Sequence, residues 1–596
     1  MARFGQLTSL HAAAYTFSGA GARGGKEKLM CGSLKKEGLR VILIGLALTA
    51  GLSLGREPGY DMIFAGGRVV DGAGAPWFRA DVGVIADRIA AIGDLTKAPA
   101  ARRIDASRLV IAPGFIDMMG QSEYRMLVDN RVASKITQGI TTEITGEGSS
   151  IAPVNQRMID EGRDVWNRYG LTPDWTTLAG YWSVHARSRS AVNIGTFVGS
   201  GGVRDLVIGS QNRRARPEEL EVMKEAVARA MEEGALGLSS ALIYVPDCFA
   251  STEELIALAR VAASYGGTYI THQRDEGDGI DASLDEVFRI AREAAIPAEI
   301  YHLKTAGKRN WGRMPAVLKR IEEARRQGLD VSADQYPWTA SSNGLVDSLP
   351  SWLQEGGREP LLARLRDPAT RARVRRDFLR ENPGWPEGAS QILITSVIEL
   401  NLKKYEGRTI AEIARDERKD PLDAVMDIVL ADHGNTMRVT FGMSEADVRA
   451  ALKHPFVSMC TDSPASAEDG IFSQEKSHPR GWATTARILG HYVREVKLLT
   501  LEEAVRKMTS LPAARMRLHD RGLLRPGMAA DIVAFDPVAV RERSTYADPN
   551  HYSQGFIYVA VNGQLVVDGG KITAARPGRP LFGPGYRPGG GKRSGF

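Results

Sequence analysis

Eight apolar runs recur through the middle of this chain, and four of them end in, or lead straight into, a metal-type or acid–base side chain. Thr268–His272 (TYITH) ends in His272, and Glu299–His302 (EIYH) ends in His302. Thr141–Thr145 (TTEIT) leads into Gly146–Glu147, and Val457–Thr461 (VSMCT) leads into Asp462. The other four runs are LVIAPGFID, NIGTFVG, ALGLSS and DVSAD. Helical patterns fall between most of them. Residues 216–234 open with Pro217 at a first-turn position. Residues 251–266 begin with a Ser cap and carry Glu253 and Glu254 in the first turn. This alternation predicts an α/β chain folded as a (β/α)8 TIM barrel. Its site would lie at the top face, where the strand C-termini converge. An open, doubly wound sheet is the alternative.

The two ends of the chain are patterned differently. Residues 60–95 alternate as strands, and ADIVAFDP (Ala530–Pro537) and GFIYVAVNGQLVVDGGKI (Gly555–Ile572) do the same, with Asn562-Gly563 as a hairpin turn. Both ends are expected to build one small β-sandwich, residues 57–111 and 516–584, around a barrel over 112–515. The connection between DVSAD and VSMCT is too long for a simple crossover. It carries its own strand, QILITSV, so an inserted subdomain at about 340–440 is expected over the barrel mouth. The tail 585–596 (GYRPGGGKRSGF) reads as disordered.

Composition removes several function classes. The net charge of +6 is small for 596 residues, and no arginine stripe with interleaved aromatics occurs, which disfavours nucleic-acid binding. Three cysteines, Cys31, Cys248 and Cys460, are too few for a disulfide framework. Residues 1–56 form an N-terminal extension. Within it Lys35, Lys36 and Arg40 precede the apolar Val41–Leu54, the layout of an export signal at 35–55. The apolar run is shorter than the roughly 20 residues of a membrane span, so no stable span is expected after cleavage. Periplasmic export is the expectation, and an N-terminal membrane anchor the alternative.

Two imidazoles and two carboxylates at barrel strand ends are the ligand types of a zinc-class metal. His272 and His302 lie on consecutive strands, close enough to share an ion. Glu147 is the best-placed anionic third ligand. Asp462 is either that ligand instead or the base that takes a proton from a metal-bound water. Lys304 in HLKTAG, Tyr336 in DQYPW and Arg480 in HPRGW complete the expected pocket, Arg480 with a fork suited to a substrate carboxylate.

Taken together, APGFID, QGITTEITGEG, HQRDEGD, HLKTAGKRNWGR, ADQYPWTAS, MCTDS, HPRGW, LTLEEAVRKMTSLPA and GMAADIVAFDP resemble the D-aminoacylase (N-acyl-D-amino-acid deacylase) family of the amidohydrolase superfamily. The resemblance implies a zinc-bearing barrel beside a β-sandwich, and hydrolysis of the amide of an N-acyl-D-amino acid, a small-molecule substrate. It also implies that His272 and His302 are zinc ligands, that Asp462 is the catalytic aspartate, and that Lys304, Tyr336 and Arg480 hold substrate. The chain departs from the family where a His-x-His is usual, having Met119 and Gln121, and where a bridging cysteine is usual, having Gly148 beside Glu147. It is similar in this to N-acetylglucosamine-6-phosphate deacetylases, which can hold one metal with a Glu and two His. That likeness implies one zinc per chain on Glu147, His272 and His302, with Gln121 in the pocket. The alternatives are a cyclic-amide hydrolase of dihydroorotase or hydantoinase type, and a barrel that binds ligand without catalysis.

Overall fold

The computed structural model describes residues 59–385 and 387–589. The chain divides into Met1–Pro58 and Gly59–Phe596. The export-type segment 35–55 and Cys31 lie outside the described residues. Among the described residues no helix is long and apolar enough to cross a membrane.

Eight parallel strands form the barrel. They are β1 (Phe115–Asp117), β2 (Ile140–Thr145), β3 (Asn193–Thr196, resumed as Val198–Gly199), β4 (Gly237–Ala241), β5 (Thr268–His272), β6 (Ala298–Ile300), β7 (Val331–Gln335) and β8 (Val457–Met459). Each pairs in parallel with the next. The ring closes where Met118 N donates to Met459 O at 3.5 Å and Gly120 bridges Ser463. Every residue of these strands is buried, polar ones such as Glu143, Asn193 and Asp334 included, so the strands do not show the apolar–polar alternation of a half-exposed sheet. Helices cover the outside. Pro217–Glu232 begins at its proline, and Thr252–Ser264 is capped by Ser251, whose Oγ accepts from Glu254 N.

The small β domain is built from both chain ends, as expected, but its boundary falls later than residue 111. Val110–Pro113 pairs antiparallel with Ile532–Phe535, and the barrel begins only after Gly114. The chain passes so close to β2 here that a Cβ on Gly114 would lie 2.2 Å from Thr141 Oγ1. One long strand, Tyr60–Val69, serves two partners. It runs parallel to Ala100–Asp105 over its first half and to Val110–Pro113 at its end, with a bulge between Phe64 and Gly67. The hairpin Phe556–Val561 to Gln564–Asp568 turns on Asn562 and Gly563, both at positive φ.

Beyond Ile572 the chain leaves this domain and returns to the barrel. Ile194 N donates to Arg579 O and Leu581 N to Ile194 O. Tyr586 stacks on Phe582 at 3.9 Å, and Arg587 pairs with Glu232 at 2.8 Å. The start of the expected disordered tail, residues 585–589, is therefore packed; residues 590–596 lie outside the described ones.

The long connection after β7 is an inserted subdomain with its own antiparallel sheet, Ser341–Gly344, Met437–Thr440 and Ile392–Ser396. It also has its own core, with Leu345, Leu353, Ile394 and Val425 among its members. It sits on the side of the barrel where the strands end.

Candidate metal centre

Three side chains at or beyond the ends of β2, β5 and β6 converge. Ligand atoms of Glu147, His272 and His302 lie within 4.8 Å of one another. His272 closes β5 and turns Nδ1 toward Glu147 Oε1 at 3.1 Å. His302 turns Nε2 toward the same oxygen at 3.6 Å, and the two rings stand 4.4 Å apart, nearly perpendicular. His302 does not end its strand. It lies two residues beyond β6, in a left-handed backbone conformation (φ +34°) unusual for a histidine. Asp334 on β7 holds it there, its Oδ1 accepting from His302 N at 2.7 Å.

Glu147 follows β2 in a tight loop. The next residue, Gly148, has φ +54°, and a Cβ there would lie 2.4 Å from Ala241 Cβ. Position 148 therefore has no room for a side chain, and the loop presents Glu147 instead. Burial alone would raise the Glu147 pKa, but the His272 hydrogen bond and the facing His302 ring outweigh it and hold the carboxyl well below the usual range.

Asp462 lies beyond β8, also at positive φ (+48°). Its neighbours are gripped from beneath. Asp117 accepts from Thr461 N at 2.8 Å and from Thr461 Oγ1 at 2.6 Å. Lys135 Nζ donates to Thr461 Oγ1 and Ser463 O, each at 2.7 Å. Arg480 Nη1 reaches Asp462 Oδ2 at 2.5 Å. Burial raises the Asp462 pKa while Arg480 and His302 oppose the rise. Gln121 ties the two halves of the site together, its Nε2 donating to Glu147 Oε2 at 3.1 Å and Asp462 Oδ1 at 3.3 Å.

Six expected residues, Gln121, Glu147, His272, His302, Lys304 and Asp462, line one cavity of about 260 Å³. Tyr336 and Arg480 stand behind its wall. The Arg480 guanidinium lies 4.7 Å from the Tyr336 ring centre, and the Tyr336 hydroxyl is buried without a hydrogen-bond partner. The inserted subdomain supplies the outer wall through Ser341, Ser342, Asn343, Asp347 and Met437, and Tyr244 after β4 adds an aromatic side.

Sequence reasoning missed Glu276, which lines the same cavity. Its carboxylate lies 2.6 Å from Lys304 Nζ, 3.1 Å from His302 Nδ1 and 3.5 Å from His272 Nε2. Its spacing of four from His272 was the available signal, hidden in the charged loop RDEGD.

This donor set fits a divalent cation. Two imidazoles and one ionised carboxylate face a common point, and two more carboxylates, Glu276 and Asp462, border it. Burial and Lys304 work against protonation of His302, yet Asp462, Glu276 and Glu147 push its pKa up to about 9. The surplus of negative charge draws a positive charge onto the ring.

A parallel eight-stranded barrel with histidines at or just beyond the ends of β5 and β6, a carboxylate after β2 and an aspartate after β8 is the architecture of a metal-dependent hydrolase. Residues 102–567 match the model of the amidohydrolase family. The D-aminoacylase of Alcaligenes xylosoxydans xylosoxydans is 36% identical over 88% of this chain and 97% of its own length. A solved D-aminoacylase with a binuclear metal centre superposes with a TM-score of 0.74 at 34% identity, covering 88% of this chain and all of its own. The N-acyl-D-glutamate deacylase of Bordetella bronchiseptica, solved with zinc and a phosphonate inhibitor, superposes equally well at 32% identity and the same coverage. The chain belongs to the amidohydrolase family, in its D-aminoacylase branch.

Proposed function

We propose that this chain is a deacylase that hydrolyses the linear amide of N-acyl-D-amino acids, giving a carboxylate and the free amino acid, with one zinc ion per chain. The observation that carries this is the convergence of Glu147, His272 and His302 on one point, with Asp462 across from it in the same cavity. The D-aminoacylase and the N-acyl-D-glutamate deacylase named above support the substrate class.

Glu147, His272 and His302 would hold the metal, which when bound supplies a Lewis acid for the amide carbonyl and for a water. Asp462 is placed to move the proton. Arg480 pairs with Oδ2, and Oδ1, which takes the Gln121 amide at 3.3 Å, is the oxygen that would exchange that contact for the attacking water and then hand the proton to the departing amine. The buried, unpartnered Tyr336 hydroxyl is a donor suited to the oxyanion that develops at the carbonyl. Lys304 at the cavity wall and Arg480 behind it supply positive charge for the free carboxylate of the substrate.

A single ion is favoured by three positions. Met119 is buried and offers only a soft thioether. Gly148 cannot carry a ligand. The Gln121 amide binds Glu147 and Asp462 together, occupying oxygens that a second ion would need. An export signal at residues 35–55 would place the enzyme outside the cytoplasm. Sequencing of the mature protein, expected to start between about residues 50 and 60, tests this.

The deciding experiment is a screen of zinc-reconstituted protein against paired N-acetyl-D- and N-acetyl-L-amino acids and cyclic imides, with elemental analysis of the same sample. Hydrolysis of linear D-substrates with about one metal equivalent is expected. Ring opening alone would favour the cyclic-amide class, and two tightly held equivalents would overturn the one-metal assignment.

A further inference from the structure

The metal site is bordered on its far side by one carboxylate that no part of the deacylation chemistry uses. Glu276 sits four residues after His272, where β5 gives way to the loop before the next helix. His272 offers Nδ1 to Glu147 and turns Nε2 toward Glu276 Oε2, 3.5 Å away. His302 does the converse, offering Nε2 to Glu147 and turning Nδ1 toward Glu276 Oε1, 3.1 Å away. The same Oε1 accepts from Lys304 Nζ at 2.6 Å. The two rings thus present different nitrogens to the metal point, and their two remaining nitrogens face one side chain. His272 Nε2 is buried and makes no hydrogen bond; Glu276 Oε2, at 3.5 Å, is the carboxylate oxygen it faces.

We infer that Glu276 is the positioning residue of the metal centre, one carboxylate that fixes the tautomer and orientation of both histidine ligands. The inference rests on the metal-site assignment above. A histidine binds a cation through an unprotonated nitrogen, so its other nitrogen keeps the proton and needs an acceptor. For His302 that acceptor cannot be Lys304, whose ammonium lies 2.7 Å from Nδ1 and has only protons to offer. Only Glu276 can receive both the ring N–H and the ammonium. It has a second task, because Lys304 is buried and would otherwise set an uncompensated positive charge against the two rings that must receive a cation. Glu276 does not touch the scissile bond in this arrangement; it acts through the ligands.

Glu276→Gln keeps the shape and one acceptor oxygen but loses the charge and turns an N–H₂ toward donors. The test is metal affinity, read by chelator competition with zinc and by the visible absorption of the cobalt-substituted protein. Wild type and variant are both checked by thermal melts. Affinity should fall roughly 10–100-fold in the variant, the range typical of an acceptor behind a metal ligand, and the cobalt bands should shift. Glu276→Asp keeps the charge at shorter reach, so its loss should be smaller. Should the Gln variant give no cooperative melt, the Asp variant carries the test, and unchanged affinity there overturns the inference. Affinity within about threefold of wild type with unshifted cobalt bands in the Gln variant overturns it equally. Failure of the wild type itself to bind metal would refute the metal-site assignment, a distinct result.

Discussion

Arg480 and Asp462 form a buried ion pair, Nη1 to Oδ2 at 2.5 Å, in which the guanidinium also leans over the Tyr336 ring. The cation expected to grip a substrate carboxylate thus already holds the expected proton acceptor. Its Nη2 donates to Ser342 O at 3.2 Å, on the strand of the insert that walls the cavity.

Arg480→Met separates these tasks. Burial raises the Asp462 pKa and Arg480 is the largest force against the rise. Without it Asp462 protonates at higher pH, so the acid limb of the kcat/KM profile should move to higher pH. kcat near neutrality should fall by roughly 10-fold or more. A rise in KM alone, with the acid limb unmoved, would make Arg480 a substrate contact only.

Asp462→Asn keeps the side-chain shape but cannot take a proton. Metal content should stay near that of wild type while kcat falls roughly 10²–10⁴-fold. His272→Ala and Glu147→Ala each remove one of three converging donors and should lose metal and activity together. If Asp462→Asn sheds metal as readily as His272→Ala, Asp462 is a ligand first. If Glu147→Ala keeps both metal and rate, the third ligand lies elsewhere.

Beneath the site, Lys135 Nζ lies 2.8 Å from both Asp117 and Glu143, and none of the three side chains is exposed. Lys135→Met leaves two carboxylates facing each other in the barrel interior. Denaturant unfolding should show a loss of about 3–5 kcal/mol, the cost of breaking a buried ionic cluster from one side. Because Lys135 also holds Thr461 and Ser463, activity should drop even where the variant is folded. A stability change below about 1 kcal/mol would mean that the carboxylates share a proton instead.

The barrel was legible because each of its strands is buried on both faces, so most of β1 to β8 appear as short runs dominated by apolar and small residues between helical patterns. The run LVIAPGFID hid a boundary. Its hydrophobicity is continuous, yet Val110–Pro113 pairs in the small domain and Phe115–Asp117 in the barrel. The residues that converge, Glu147, His272 and His302, were legible by type and position, but the left-handed turns at His302 and Asp462 depend on partners far along the chain, Asp334 and the Asp117–Lys135 pair. Glu276 escaped notice because one acid among several in a charged loop carries no mark until the fold aims it at two rings. Arg480 was singled out, but its pairing with Asp462 joins a turn after β8 to the start of the helix Arg480–Arg487, a contact that spacing does not encode.

Glu123, two residues after Gln121, supplies a stability test that does not involve Glu147, His272 or His302 directly. Burial pushes its pKa up from 4.5 to about 7, with the charge of Glu143 adding to the rise and its own backbone hydrogen bond opposing it. A carboxyl whose folded pKa lies above its unfolded one favours the folded state while it is protonated. Its contribution is therefore full below about pH 4.5 and is lost as pH rises through about 7. Over that window the loss is on the order of 3 kcal/mol. Glu123→Gln is neutral at every pH and removes this dependence. Urea unfolding at several pH values between about 5 and 8 should show wild-type stability falling more steeply with rising pH than that of the variant. The difference in slope should approach about 1.4 kcal/mol per pH unit, the value for one proton. Parallel slopes would mean that Glu123 titrates alike in the folded and unfolded chain, and that its burial beside Glu143 is relieved by a neighbour in solution.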